Sequence, residues 1–394
     1  MLIRVLSTHP ALAFRMATPL SHSPLLKSPS YLFLRHHSFA PPSLSCFSSF
    51  RSFSSPLSCP FSSLSSDRSS KKWMQPIAAL LEIGGVKIAR DDVVKESDPA
   101  NNVPDTIFSK LGTELHRRDN HPIGILKNAI YDYFDTNISA KFVKFDDLCP
   151  IVSVKENFDD VLVPADHISR SYNDTYYVDA QTVLRCHTSA HQAELLRKGH
   201  TQFLVTGDVY RRDSIDSTHY PVFHQMEGVR VFSPDDWAGS GMDATSFAAM
   251  DLKKSLEGLA KHLFGTVDMR WVDTYFPFTN PSFELEIYFQ FSEGKLGIKF
   301  KPFSKYPPCY KDMSFWISDS FTENNLCEVV RGIAGDLVEE VQLIDNFTNK
   351  KGMTSHCYRI AYRSMERSLT DEEINQLQWR VREAAQSKLN VVLR

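Results

Sequence analysis

No run of about 18 apolar residues occurs in the 394-residue chain, so no segment reads as a membrane-spanning helix. Cysteine is sparse. Of seven, Cys46 and Cys59 fall in the first 70 residues, and Cys149, Cys186, Cys309, Cys327 and Cys357 form no C-x-x-C pair. A structural zinc site or a disulfide framework is therefore not the organising device. His187 and His191 stand four apart and could share a helical face as metal ligands, but no third ligand lies near them, so no metal site is expected. Acid is almost missing from the first 70 residues, where Asp67 faces Arg4, Arg15, Lys27, Arg35, Arg51 and Arg68 among twenty serines. Such a leader reads as an organellar transit peptide, with an ordinary disordered tail as the alternative. A secretory signal would need a clean apolar core of roughly 7–15 residues, and none follows the start. The whole chain carries −3, so the part after the leader carries about −8, which argues against indiscriminate nucleic-acid binding.

Residues 71–104 read as a linker, because Gly84-Gly85, Pro99 and Pro104 interrupt every pattern; order is expected to begin near Asp105. His121–Phe134 places Ile123, Leu126, Ile130 and Tyr133 or Phe134 at helical spacing behind Pro122. Phe158–Pro164 reads as a strand stopped by proline, and Asp251–Phe264 as a helix with a leucine stripe. Trp271–Phe289 returns to alternation, with Phe283, Leu285 and Ile287 on one face and Glu284 and Glu286 on the other. From Phe300 onward the order is β-α-β-β-α-β, the ferredoxin-like order. Its last helix starts at Thr370, with Glu373 in capping-box spacing. In the preceding strand Tyr358, Ile360 and Tyr362 face the helices, while Arg359 and Arg363 lie on the open face. With thirteen basic and thirteen acidic residues in this part, that open face is either a solvated surface or an RNA contact.

The densest chemistry lies in Thr182–Phe232. A polar turn, His187-Thr188-Ser189-Ala190-His191-Gln192, precedes a strand ending in Arg211, a loop of about ten residues, and a second strand from Val222. Alternation puts Phe223, Gln225 and Glu227 on one face of that second strand, and His224, Met226 and Gly228 on the other. A carboxylate and an amide side by side on a partly buried face need partners, and an α-ammonium group would be one. Arg211 supplies a fork that can grip a phosphate or a carboxylate. Any one of these pairs would pass for a surface ion pair; the whole set reads as one ligand site.

That set resembles the phenylalanine-specific class II aminoacyl-tRNA synthetases, most closely the single-chain type of mitochondria and chloroplasts, over about Asp105–Arg394. The resemblance implies an α+β fold, a class II antiparallel sheet with helices over residues 105–290, followed by a ferredoxin-like anticodon-binding domain over 300–394. It implies phenylalanine, ATP with Mg²⁺, and tRNA(Phe) as partners, a monomer, and residence in a mitochondrion or chloroplast. By the same resemblance Arg211 is the catalytic arginine on the ATP α-phosphate. The amino acid is received by His187, Ser189 and their neighbours Ala190, His191 and Gln192, and by Gln225, Met226 and Glu227. Thr218, His219 and Tyr220 lie in the loop that closes over ATP, Phe276 and Phe278 of Tyr275-Phe276-Pro277-Phe278 stack on the substrate ring, and Arg359 and Arg363 contact tRNA.

One part of the family pattern is missing. The third class II motif, a glycine-rich strand and helix ending in an arginine opposite Arg211, has no counterpart, because Glu284–Gln290 runs straight into Phe291-Ser292-Glu293-Gly294. Several dozen residues, central strands among them, are absent relative to the family. Very slow adenylate formation is expected of such a form, and a catalytically defective isoform that keeps only tRNA binding is the alternative.

Overall fold

The computed structural model describes residues 80–216, 219–276, 279–288 and 306–394. The leader, Thr218, Phe278 and the junction at 289–305 lie outside them. The first described element is a hairpin, β1 (Leu80–Ile83) and β2 (Val86–Ala89), followed by two short helices, α1 (Arg90–Val93) and α2 (Asp105–Phe108). Order thus begins well before Asp105. Gly84 and Gly85, read in the sequence as breakers, are the hairpin turn at φ +58° and +76°, with Ile83 and Ile88 buried beside them. A Cβ on Gly84 would fall 2.3 Å from the Asp147 carbonyl oxygen, so the turn can sit that close only as glycine.

Helix α3 (Pro122–Asn137) follows, with the His121 ring accepting from the Ile123 amide at its start. It packs Ile130, Tyr133 and Phe134 against Leu204 and Met226. Strands β3 (Val143–Phe145) and β4 (Ile151–Ser153) come next. The strand expected at Phe158–Pro164 is not formed. A helical turn over Lys155–Asp159 takes its place, started by Ser153 and Glu156, which bond each other's backbone amides at 2.8 and 3.1 Å. Phe158 and Val161, three residues apart, are both buried, a helical spacing and not an alternating one.

Strands β5 (Tyr177–Asp179) and β6 (Thr182–Leu184) join β4 in a small antiparallel sheet. A 3₁₀ turn over Thr188–His191 then leads into the short helix α4 (Gln192–Arg197). The long pair β7 (Gln202–Tyr210) and β8 (Val222–Arg230) is antiparallel in continuous register, and β3 lies parallel on its outer side. After α5 (Pro234–Trp237) comes α6 (Ala244–Phe264), capped by Asp243, whose carboxylate accepts from Thr245 and Ser246. Strands β9 (Asp268–Phe276) and β10 (Thr279–Tyr288) form a hairpin of their own, hydrogen-bonded to each other and not to β8.

The C-terminal part is built from β11 (Cys309–Trp316), α7 (Glu323–Ala334), β12 (Val338–Thr348), β13 (Thr354–Tyr362), α8 (Asp371–Leu389) and β14 (Val392–Leu393). Its sheet order is β12-β13-β11-β14, as the ferredoxin-like reading requires. Met313, Phe315, Tyr358, Ile360 and Tyr362 meet Leu326, Val330, Ile374 and Val381 of the helices. Ile215, from the loop between β7 and β8, inserts into this same core.

Candidate amino-acid and nucleotide site

Glu227 and Gln225 are fully buried on one face of β8, and the Thr188–His191 turn lies against them. Ser189 donates its hydroxyl to Glu227 Oε2 at 2.5 Å, Thr188 Oγ1 stands 3.4 Å from the same oxygen, and the Thr188 amide donates to Gln225 Oε1 at 3.2 Å. The Gln225 amide nitrogen is buried without a hydrogen-bond partner. Leaving such a donor unsatisfied costs about 1–3 kcal/mol, so a ligand acceptor is its natural complement. His187 opens the turn as its N-cap residue.

Arg211, just past β7, spends its Nε–H on the Cys186 carbonyl at 3.0 Å and lays its guanidinium 5.1 Å from the Phe223 ring centroid. Because Phe223, Gln225 and Glu227 alternate onto one face, the guanidinium is held at the end of the same face as the buried acid. The expected set His187, Ser189, Gln225, Glu227 and Arg211 is therefore brought together on one side of β8.

Other expected residues sit elsewhere. Met226 points to the opposite face and packs with Ile130, Leu204 and Phe276. Phe276 is buried in that same core and borders a cavity of about 380 Å³ lined also by Arg230, Phe232, Leu252, Thr279 and Phe283. It shares a core with Met226, whose side chain is on the face of β8 opposite Gln225. Ala190 packs with Val152, Tyr177 and Val183, and Gln192 starts α4. His191 turns to Arg185, whose Nη1 donates to its Nε2 at 2.8 Å. Burial first, and the Arg185 charge second, push this histidine down to about 3, so the ring is neutral. His219 bonds Asp216 at 2.7 Å, and Tyr220 donates to Asp336 of the C-terminal part at 3.2 Å.

On the ferredoxin-like sheet the two expected RNA contacts are already paired. Arg359 grips Asp312 with two bonds at 2.8 and 2.9 Å, and Arg363 lies 3.1 Å from Glu339. Register explains the first pair, since Asp312 is directly opposite Arg359 in the β11–β13 ladder. The sequence reading missed the aromatic side of this face. Trp316 and Phe347 both flank Ser355 in register, their ring centroids 6.5 Å apart, and Arg394 stacks 5.0 Å over Trp316. An exposed Phe347 ring beside a half-buried Trp316 that carries a guanidinium suits stacking of unpaired bases. Also missed was Arg185, an arginine inside an otherwise apolar strand context whose partner Asp208 stands in an equally apolar strand.

Comparison with known proteins bears on the family and the two domains. Residues 107–301 match the family model of the class II core domain (F) of tRNA synthetases, and residues 304–394 match the ferredoxin-fold anticodon binding domain. The chloroplastic/mitochondrial phenylalanine–tRNA ligase of Arabidopsis thaliana is 67% identical over 385 residues, covering 82% of this chain and 90% of that one. The mitochondrial phenylalanine–tRNA ligases of Dictyostelium discoideum and Mus musculus are 39% and 36% identical, covering 77% and 79% of this chain and 91% and 88% of theirs. The chain belongs to the phenylalanine–tRNA ligases of mitochondria and chloroplasts, within class II of the aminoacyl-tRNA synthetases.

Proposed function

We propose that this chain activates phenylalanine with ATP and transfers it to tRNA(Phe) in a mitochondrion or chloroplast, acting as a monomer. The observation that carries the reading is the buried Glu227 carboxylate beside Gln225, whose amide nitrogen has no internal partner, with the Thr188–Ser189 turn bonded to both side chains through Glu227 Oε2 and Gln225 Oε1. Glu227 would receive the α-ammonium group. The substrate carboxylate oxygen would attack the ATP α-phosphorus, pyrophosphate would leave, and a hydroxyl of the tRNA's terminal ribose would then take the acyl group and release AMP. Little proton transfer by side chains is needed, so the protein contributes position and charge. Arg211, fixed by Cys186 and Phe223, would oppose the charge growing on the α-phosphate.

Among the described residues no group of three or more His, Cys, Asp or Glu side chains is arranged to hold a metal ion. Mg²⁺ would therefore reach the site on the phosphates of ATP, as this small, reluctantly dehydrated ion commonly does, and no protein cage is assigned to it. Residues 105–290 would form the activating part and 300–394 the anticodon part, a division supported by the two family matches. Trp316, Phe347, Arg394 and, after release from Asp312, Arg359 would meet the anticodon.

The absence of a third motif belongs to the same reading. The alignment with the Arabidopsis relative supports it, since 385 aligned positions are filled by only 82% of a 394-residue chain. Calorimetric titration with phenylalanine and with a tRNA(Phe) transcript tests the assignment on the purified chain. Specific binding of both is expected; failure to bind either sinks it.

A further inference from the structure

Beside the Gln225–Glu227 face lies a fully buried guanidinium that the chemistry of activation does not use. Arg185 donates from Nε to the Asp208 carbonyl at 2.7 Å, from Nη2 to Asp208 Oδ1 at 2.8 Å, and from Nη1 to the Leu148 carbonyl at 3.0 Å and His191 Nε2 at 2.8 Å. The other Asp208 oxygen accepts from the Tyr210 hydroxyl. Neutral His191 can accept at Nε2 because its proton is then on Nδ1.

The position of this fork is set by a glycine. A Cβ on Gly207 would stand 2.0 Å from Arg185 Nη2, so the guanidinium occupies the space where a side chain would be. Gly207 is directly opposite Gln225 in the β7–β8 ladder, and opposed residues share a face. The fork therefore lies next to Gln225, on the ligand side. Its other end, His191, closes the turn whose earlier residues Thr188 and Ser189 hold Gln225 and Glu227.

A buried ion pair is a poor device for stability alone, because the desolvation of both charges offsets most of their attraction. What four directional bonds provide is a fixed geometry. We propose that Arg185 is a positioning residue of the amino-acid site: it clamps the His187–His191 turn to β7, so that Thr188 and Ser189 hold Gln225 and Glu227 in the orientation that receives an α-ammonium group. The proposal rests on the reading of that face as the phenylalanine site.

The test uses the 394-residue protein with Gly207→Ala, His191→Leu and His191→Gln. Alanine displaces the fork, leucine removes its acceptor, and glutamine restores an acceptor oxygen. Phenylalanine and phenylpropionate, which lacks the ammonium group, are titrated by calorimetry, and backbone amides are followed by hydrogen exchange. The alanine and leucine variants should weaken phenylalanine at least tenfold and phenylpropionate less than threefold. Exchange in the His187–His191 turn should quicken at least tenfold, with β11 and β13 unchanged. Glutamine should recover at least fivefold of the phenylalanine affinity lost by leucine. Equal behaviour of the leucine and glutamine variants, or exchange quickened alike in the turn and in β11 and β13, overturns the clamp. If the unaltered protein binds no phenylalanine, the assignment of the site fails while the exchange comparison still decides the clamp.

Discussion

Replacing Glu227 by glutamine removes one charge from the centre of the site and leaves its shape in place. The side chain is fully buried, and Oε2 accepts from Ser189 at 2.5 Å, with Thr188 Oγ1 at 3.4 Å. Glutamine keeps an oxygen that can accept from Ser189, so the turn has no reason to move. A hydrogen bond to a charged partner contributes about 1.5–3 kcal/mol, which corresponds to roughly 10- to 150-fold in Kd. Phenylalanine should weaken by that factor in a calorimetric titration, while phenylpropionate, having no ammonium, should be unaffected. Thermal stability should not fall, because a buried carboxylate has been replaced by a neutral group that is cheaper to desolvate. A change in phenylalanine affinity below threefold would refute the placement of the ammonium group on Glu227.

Three further outcomes are expected. Inserting a glycine-rich third motif between Phe289 and Phe291 should raise phenylalanine-dependent adenylate formation by at least the roughly 10²–10³-fold that one lost contact to developing charge represents; charging by the short form within tenfold of the restored form would contradict this. Urea stability should decline as pH falls from 7 to 5, because His191 and His224 are pushed by burial from 6.5 to about 3 and about 4, so the unfolded chain takes up protons in that window and the folded chain does not. Asp208 acts at lower pH: burial raises it, but Arg185 and the Tyr210 hydroxyl more than compensate, so its contribution is present above 3.8 and is lost as pH drops through its lower folded value. A midpoint unchanged between pH 7 and pH 5 would show that the histidines are not held neutral. Trp316→Ala should weaken tRNA(Phe) binding by about 1–3 kcal/mol in a filter assay, the range for a lost base-stacking ring, and leave phenylalanine binding untouched; equal tRNA affinity would remove the aromatic face from the interface.

Periodicity and capping chemistry made much of this fold legible. Thr370 and Glu373 mark the start of α8 to the residue, and the alternation of Tyr358, Ile360 and Tyr362 fixes which face of β13 meets the helices. Gln225 and Glu227 were assigned to one face for the same reason. Breakers are ambiguous where local chemistry has two readings: Gly84-Gly85 serves a hairpin as readily as a linker, and Phe158–Pro164 reads as extended unless the Ser153–Glu156 cap upstream of it is weighed. Long-range pairings were the least accessible. That Asp312 neutralises Arg359 depends on strand register, and that Phe276 lies on the Met226 side depends on how a separate hairpin packs. Arg185 was hidden because a single arginine among apolar residues carries no period.

Ile215 joins two parts of the chain in a way that bears on how they melt and how they may be divided. Its side chain belongs to the core of Met313, Phe315 and Leu326, its carbonyl accepts from the Val341 amide at 2.9 Å, and Arg331 donates to the nearby Asp213 carbonyl at 2.9 Å. Burying one isoleucine contributes about 1.5–3 kcal/mol, a large share of the stability of a domain of this size. A fragment cut at residue 300 would therefore fold with a hole where Ile215 belongs, and would melt lower than the same residues within the intact chain. Conversely, heat or denaturant that loosens the C-terminal core should release the loop following Arg211, so one shared transition is expected, and a thermal scan should report on the loop between β7 and β8 along with the C-terminal sheet.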